Sequence, residues 1–155
     1  MGDISAFPTI TSDIVKHIGV TFTATAASAL KAGMAVEFEA SGEDFKVTAA
    51  VNGGPVIGVV GAPHASGDVV TVYSLGSIIK VANADDTATG DAGDYVETND
   101  NPVGGTVSVA AVAATGAATA TFHGNILGKL MGDMAASGTA YCLITLGALT
   151  QANSS

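Results

Sequence analysis

The chain has 155 residues, a length that suits one compact domain. Hydrophobic residues make up 48% of it but aromatic residues only 5%, so much of the core is expected to be alanine and valine, which bury little area per residue. A core of this kind is expected to be completed by oligomerisation. Fourteen acidic residues face five lysines and no arginine, and this net charge of −9 excludes the basic patch that nucleic-acid binding needs. A single cysteine excludes an internal disulfide, and no apolar run approaches the roughly 20 residues of a membrane-spanning helix.

Residues 1–22 are expected to form an extended N-terminal arm. The stretch ISAFPTITSD contains a proline and mixes threonine and serine with single large apolar residues, so it is expected to make few contacts with a core. Arms of this kind either fray or lie on a neighbouring subunit as an added strand. The arm has no basic region followed by an apolar run, so no secretory signal is expected and synthesis in the cytoplasm is predicted.

Alternation with period two predicts strands after the arm. Apolar residues alternate with threonine, glutamate or lysine in residues 20–24, 34–38 and 45–49, which places one apolar face of each strand toward a core. Strand candidates recur every 8–12 residues or so, with glycine-rich turns between them, as in small barrels and sandwiches.

Two parts of the chain repeat the same pattern. AGMAVE at 32–37 returns as AGDYVE at 92–97, and the later Ile/Leu-Gly, Ser-Gly and Leu-Gly pairs return as well. This predicts a pseudo-repeat over 32–76 and 92–147 within one β-rich domain, 23–149, although chance similarity in an Ala/Gly-rich chain is the alternative. The residues expected to form its structural turns are Gly33, Gly58, Gly67, Asp68, Gly93, Gly128 and Gly138.

Several segments leave alternatives open. Within 126–136, the repeat predicts a strand and turn, while apolar residues at i, i+3, i+4 and i+7 favour an amphipathic helix. The longer second variable stretch, 99–125, is interpreted as an added strand pair, an exposed loop or a contact to a neighbour. The tail, 150–155, is expected to be flexible.

No catalytic constellation or cofactor motif is present, so an enzyme is not expected. His17, His64 and His123 lack metal-ligand spacing, and Cys142 is interpreted as a small buried hydrophobe. The acidic stretch 83–101 offers oxygen ligands for calcium, but its spacing does not match an EF-hand loop and a solvated turn region is the default interpretation. No cofactor and no metal site are therefore predicted.

The arrangement of these turns and strands resembles the phage capsid decoration, or head cement, proteins. The residues that carry the resemblance extend over roughly 25–147, and they are Ala32–Glu37, Val56–Val60, Ser66–Val72, Gly76–Val81 and Gly90–Glu97. The resemblance implies a mainly β protein: a small β-barrel, β-tulip or sandwich built from two related β-units, with an extended N-terminal arm and at most short helices.

The resemblance also implies a function without an active site. Such proteins sit on the outside of an icosahedral head as homotrimers, cement neighbouring major capsid subunits and stabilise the expanded shell. The expected partners are therefore the major capsid protein and other copies of this chain, with no nucleic acid and no membrane, and the expected location is the outer capsid surface of a virion made in a host cytoplasm. The alternative is a β-rich surface-binding module of a virion or cell, with calcium-dependent binding as one option.

In this interpretation, the arm orders on the capsid and deletion of residues 1–14 leaves the barrel folded. The expected contact residues are Ile4, Phe7, Pro8, Ile10 and Ile14.

Overall fold

The computed structural model describes residues 4–40, 45–85, 87–101, 103–110, 121–123 and 125–150, without the side chains of 121–123, 149 and 150. The fold is almost entirely β, as expected, and within the described residues the only helical segment is one 3-10 turn, Ile4–Ala6. The strands are β1 (Val15–His17), β2 (Thr21–Ala26), β3 (Ala35–Phe38), β4 (Lys46–Ala49), β5 (Val56–Val60), β6 (Val69–Tyr73), β7 (Ile78–Ala82), β8 (Tyr95–Asn99), β9 (Thr106–Val109), β10 (Thr121–His123), β11 (Ile126–Leu130), β12 (Thr139–Ile144) and β13 (Ala148–Thr150).

Unit 1, made of β2–β6, is a closed barrel in the order β2-β4-β3-β5-β6. Its neighbouring strands are antiparallel except β2 and β4, which close the barrel with a short parallel pairing through Thr25 and Ala26. Valines at alternate positions of these strands, such as Val36, Val47 and Val72, are fully buried inside the barrel.

Unit 2, made of β7, β8, β9, β11 and β12, repeats that order within a six-stranded sheet, β1-β7-β12-β11-β8-β9. The parallel closure of unit 1 is reduced here to one bridge between Asn83 and Val107. The same main-chain hydrogen bond is present in both units, because Ala27 N donates to Val47 O and Ala84 N donates to Val107 O, each at 2.8 Å. Unit 2 is therefore an incompletely closed copy of the barrel.

Strand register establishes the pseudo-repeat independently of composition. Val36 pairs with Ala49 in unit 1, and Val96 pairs with Val109 in unit 2, so the β3–β4 register returns 60 residues later in β8–β9. An irregularity in the ladder also recurs, beside Gly58 in β5 and 70 residues later in β11. Chance similarity does not reproduce a strand register and its bulge, so the repeat is structural.

The sequence repeat aligns Gly67 with Gly138, but the structural repeat is shifted by one residue from this alignment. Gly67 has φ 91° at the tip of the β5–β6 hairpin, and the residue 70 positions later is Ser137, with φ 53°. Likewise Gly76, with φ 84°, corresponds to Leu146, with φ 51°. Gly138 belongs to this turn, since its N–H donates to Ala135 O at 2.9 Å, but the left-handed residue is Ser137, because hydrogen-bond register rather than residue identity places it.

The segment 126–136 is a strand and a turn, so the helix alternative is wrong. Strand β11 pairs with β8 on one side and β12 on the other, which engages its main chain in the sheet. Ile126, Leu127 and Leu130 are all buried although Lys129 is exposed, because the ladder irregularity between Ile126 and Gly128 shifts the alternation of faces. This irregularity interrupts the period-two alternation, which is why the apolar spacing resembled that of a helix.

Part of the variable stretch 99–125 is the counterpart of the β3–β4 hairpin, and residues 121–123 form the short strand β10. Strand β10 pairs with β13 in a separate two-stranded sheet, which fits the interpretation of an added strand pair. The remainder of this stretch, including 111–120, lies outside the described residues, as does the tail from 151. Among the described residues, no helix has the length and apolar character needed to cross a bilayer.

The N-terminal segment, residues 4–17, packs against the rest of the chain instead of forming a separate arm. Phe7 is only 1% exposed and belongs to the apolar cluster inside unit 1, and β1 pairs with β7 through Val15 and His17. The expectation that this segment makes few contacts with the core is therefore wrong for residues 4–17. Sequence analysis missed this because a single large apolar residue in a polar segment carries no periodicity.

Candidate interaction surfaces

The expected contact residues of the first segment lie on a seam where the chain packs against its own two units. Phe7 is buried, and Ile4 and Ile10 pack against the same cluster in unit 1. Ile14 packs instead against the cluster that joins the units. Because Phe7 faces the protein interior, its expected assignment as a capsid or subunit contact is wrong.

Long side chains hold this segment through its main-chain carbonyls. Lys31 Nζ donates to Phe7 O at 2.7 Å, and Lys80 Nζ donates to Ser12 O at 3.2 Å. The hydroxyl of Tyr141 donates to the carbonyl of Asp13, and the ammonium of Lys80 lies 5.5 Å from the centre of the Tyr141 ring. Main-chain acceptors carry no sequence signature, so these contacts could not be found from the sequence.

A polar groove lies where the N-terminal segment meets unit 2. It has a volume of about 530 Å³, and Pro8 contributes to one wall. Asn83 is nearly buried there, and its side-chain amide donates to the carbonyls of Ala88 and Ala135. These hydrogen bonds join residues of the protein, so the amide has a structural role in the groove wall. The groove is lined by Ala6, Pro8, Asn83, Ala84, Asp85, Asn99, Asn101, Val103, Thr106 and Ser137.

Two carboxylates of the acidic stretch, those of Asp85 and Asp94, accept hydrogen bonds within turns. Asp85 Oδ1 accepts hydrogen bonds from Ala88 N, Thr87 N and the Thr87 hydroxyl at 2.8–2.9 Å, and these bonds lower the pKa of Asp85. Asp94 Oδ2 accepts from Asp91 N at 3.0 Å. Across the described part of the chain, no three His, Cys, Asp or Glu residues gather as metal ligands would; Asp86 lies outside it.

The expected turn residues divide into two kinds. Gly33, Gly67 and Gly93 have φ between 91° and 97° in turns, and Asp68 Oδ2 accepts from Ala65 N at 2.9 Å, as a turn aspartate does. Gly58 and Gly128, by contrast, lie within β5 and β11. A Cβ on Gly58 would lie 2.5 Å from Tyr73 O, and one on Gly128 would overlap the main-chain oxygen of Leu143. Their assignment as turns is wrong, since a close main-chain approach selects glycine there.

Burial shifts the pKa values of one buried thiol, Cys142, and one half-buried carboxyl group, Glu37. Burial raises the pKa of the Cys142 thiol to about 12, so it stays protonated and behaves as the expected small hydrophobe. The pKa of Glu37 is also raised, chiefly by burial and further by the charges of Asp100 and Glu39, although a hydrogen bond from the Val51 main chain opposes the shift. Glu37 Oε2 is buried without a hydrogen-bond partner.

One end of unit 1 presents an aromatic surface that sequence analysis missed. Phe38 is 47% exposed and Phe45 63% exposed, and the rings of Phe22 and Phe38 lie 6.2 Å apart. Phe22, Phe45 and the exposed Val69 line one shallow groove. The alternation pattern assigned these phenylalanines to the core face, which is correct for their strands, but they lie at the ends where the barrel opens. We call Phe22, Phe38, Phe45 and Val69 the aromatic tip.

A second apolar surface lies beside the edge of the six-stranded sheet. Ile18 and Val20 follow β1, Leu75 follows β6, and each of the three is more than half exposed. Among the described strands, β1 pairs only with β7. The surface is held rigidly, since Val20 N donates to Leu75 O at 2.9 Å and Gly19 N donates to Ser77 Oγ at 2.9 Å. We call Ile18, Val20 and Leu75, together with β1, the edge surface.

The fold and these surfaces define a small two-unit β protein with apolar surfaces of the kind used to bind other proteins. Its fold is similar to the crystal structure of the N base of the head fiber gp8.5 of bacteriophage phi29, with a TM-score of 0.56 over 81% of this chain and 93% of that chain. The two sequences are 19% identical, so the similarity is one of fold. No protein-family model and no curated protein matches the chain.

Proposed function

We propose that this protein is a structural component of a phage particle, bound to the outside of an icosahedral head. The observation that carries the proposal is the fold shared with nearly the whole of a head fiber base. The turn-and-strand pattern that resembles head cement proteins and the net charge of −9, unsuited to packaged nucleic acid, both support it. In the finer form of the proposal, homotrimers bridge neighbouring major capsid subunits and stabilise the expanded shell.

Cementing of this kind needs no chemistry. A protein that binds across subunit seams only in the expanded geometry stabilises that geometry by mass action. Many copies on one shell then add their effects through multivalency. The proposal assigns no enzymatic activity.

The edge surface is the proposed capsid-binding site. An unpaired strand edge accepts a further strand from a partner, and the exposed side chains of Ile18, Val20 and Leu75 supply apolar contacts beside it. Because the connection at Gly19 is already fixed by hydrogen bonds, little ordering is needed on binding. This site replaces Phe7, which the fold buries.

The test is co-sedimentation of the purified protein with expanded, undecorated heads, made from the major capsid protein of the same phage. We expect saturation near one copy per capsid subunit, heads with greater resistance to heat, and little binding to unexpanded heads. Ile18→Lys should reduce binding strongly. Met131→Lys is the matched control, because Met131 is 52% exposed but lies on unit 2 outside the edge surface. Absence of binding to any head form would contradict the proposal.

A further inference from the structure

The internal repeat allows the aromatic tip to be compared with its counterpart in unit 2. Phe45 and Gly105 follow equivalent hairpin turns 60 residues apart, and both have left-handed backbones, with φ 57° and 84°. The equivalent pairs are Phe22 and Ile79, Phe38 and Thr98, and Phe45 and Gly105.

In unit 2 this end is covered by unit 1. Gly105 N donates to Ala50 O, and Ala35 N donates to Gly105 O, both at 2.9 Å. The fit is close, because a Cβ on Gly105 would lie 2.9 Å from the Cβ of Met34. Nearby Val103 enters the apolar cluster of unit 1. The tip of unit 2 is thus an interface within the chain.

In unit 1 the same end is uncovered and apolar. Ile79 and Thr98 are fully buried, whereas Phe38 at the position equivalent to Thr98 is 47% exposed. Phe45 holds a positive φ, which is strained for a bulky residue, and its side chain is 63% exposed. Exposed aromatic residues on a rigid surface are typical of protein interfaces.

The receiving surface is also repeated. Met34, Ala35 and Ala50, which accept the tip of unit 2, are fully buried. Their counterparts in unit 2 are Asp94, Tyr95 and Ala110, and all three are partly exposed. The local geometry is the same in both units, because Ala50 N donates to Ala35 O and Ala110 N donates to Tyr95 O, each at 2.9 Å.

We infer that the aromatic tip of one copy docks on the Tyr95–Ala110 surface of a second copy, as the tip of unit 2 docks on unit 1 within the chain. Such a contact is head-to-tail and joins two different surfaces, so it generates a closed ring when the rotation between copies allows closure. The inference deepens the homotrimer of the proposed function and rests on it, because it names the surfaces through which the copies associate.

Charge beside the two surfaces is compatible with this contact. The ammonium of Lys129 lies 5.4 Å from the centre of the Tyr95 ring, and Glu39 follows Phe38 at the aromatic tip. The carboxylate of Asp94 is engaged by Asp91 N within its own turn. Lys129 and Glu39 therefore place opposite charges beside the two surfaces, which favours their association.

Cross-linking between two single-cysteine variants tests the pairing directly. Gly105 and Ala50 are joined by a main-chain hydrogen bond, so their counterparts in two docked copies lie within disulfide range. The Phe45→Cys protein mixed with the Ala110→Cys protein should give an oxidised dimer, and neither should do so alone. Cys142 does not interfere, since it is fully buried. Equal cross-linking of Phe45→Cys with itself, or none in the mixture, would overturn the inference.

Sedimentation of the free protein gives a second measurement. The Phe38→Thr/Phe45→Gly variant, which installs the residues of unit 2, should weaken self-association by about tenfold or more. Ile18→Thr is the control, as Ile18 is 62% exposed and outside the aromatic tip. Wild-type protein that stays monomeric, or a double variant that associates as well as wild type, would overturn the inference.

Heads are absent from both experiments, so this inference and the proposed function can fail separately. A wild-type monomer that still binds heads overturns the head-to-tail contact alone. Association of the free protein without any binding to heads overturns the proposed function alone.

Discussion

The ammonium of Lys31 donates a hydrogen bond of 2.7 Å to the main-chain carbonyl of Phe7, and the ring of Phe7 lies buried in the apolar cluster that unit 1 shares with Ala82 and Val103 of unit 2. A segment that reads as a loose arm is thereby part of the folded barrel. The N-terminal segment consequently contributes to stability, whatever it contacts on another protein.

We expect Phe7→Ala to lower the free energy of unfolding by about 3 kcal/mol, because it leaves a cavity in the cluster of unit 1. Urea denaturation measures the change. Val20→Ala, at a site 55% exposed, is the control and should stay within about 0.5 kcal/mol of wild type. Deletion of residues 1–14 should likewise destabilise the barrel, and a deletion mutant as stable as wild type would restore the picture of an independent arm.

Gly128→Ala should destabilise the protein by about 3 kcal/mol or more, because the added Cβ overlaps the main-chain oxygen of Leu143 and neither strand can shift without breaking the sheet. Gly132→Ala, with no atom within 4 Å of the added Cβ, is the matched control and should be nearly neutral. Thermal and urea unfolding of the two variants give the comparison. Equal stabilities would show that the approach of β11 to β12 is looser than the structure has it.

Ser137→Gly should stabilise the protein by about 0.5–1 kcal/mol, because Ser137 has φ 53° where its counterpart in the first hairpin is the glycine Gly67. Ala136→Gly, one residue earlier in the same turn, should instead destabilise by about 0.5–1 kcal/mol through greater entropy of the unfolded chain. Opposite signs in the two urea midpoints are the expected result. A loss of stability in both variants would contradict the structural equivalence of Ser137 and Gly67 and would favour the pairing of Gly67 with Gly138.

Glu37→Gln should raise stability at neutral pH. Burial raises the pKa of Glu37 in the folded protein above its ordinary value of 4.5, so the folded state binds the proton more tightly than the unfolded state. The contribution of this group is therefore most favourable below pH 4.5 and is lost as the pH rises through the folded pKa. Unfolding midpoints measured from pH 4 to pH 8 should show the gain of the variant growing with pH.

The control for this experiment is the equivalent residue in unit 2. Glu97 Oε2 accepts a hydrogen bond of 2.6 Å from Asn125 Nδ2, so Glu97→Gln should bring no gain at neutral pH. A gain of equal size in both variants would assign the effect to overall net charge instead of to the buried oxygen of Glu37.

How much of this could be read from the sequence depends on how local each property is. Alternation in residues 34–38 and 45–49 located β3 and β4, since a side chain changes face at every residue of a strand. The two copies of the Ala-Gly turn and its following strand revealed the duplication. The turn residues Gly33 and Gly93 were found for the same reason, because a left-handed turn selects glycine locally.

The sequence by itself thus determined the strands, the repeat and most of its turns, all of which depend on neighbours in the chain. Only the tertiary structure decided that Phe7 is buried and Phe45 exposed, since burial depends on which distant segment covers a site. It also placed Ser137 at a position where its repeat partner is glycine, because hydrogen bonds across the sheet set the register there. The aromatic tip is exposed because unit 1 covers the tip of unit 2 and leaves its own tip uncovered, whereas the edge surface follows from the position of β1 at the edge of the six-stranded sheet.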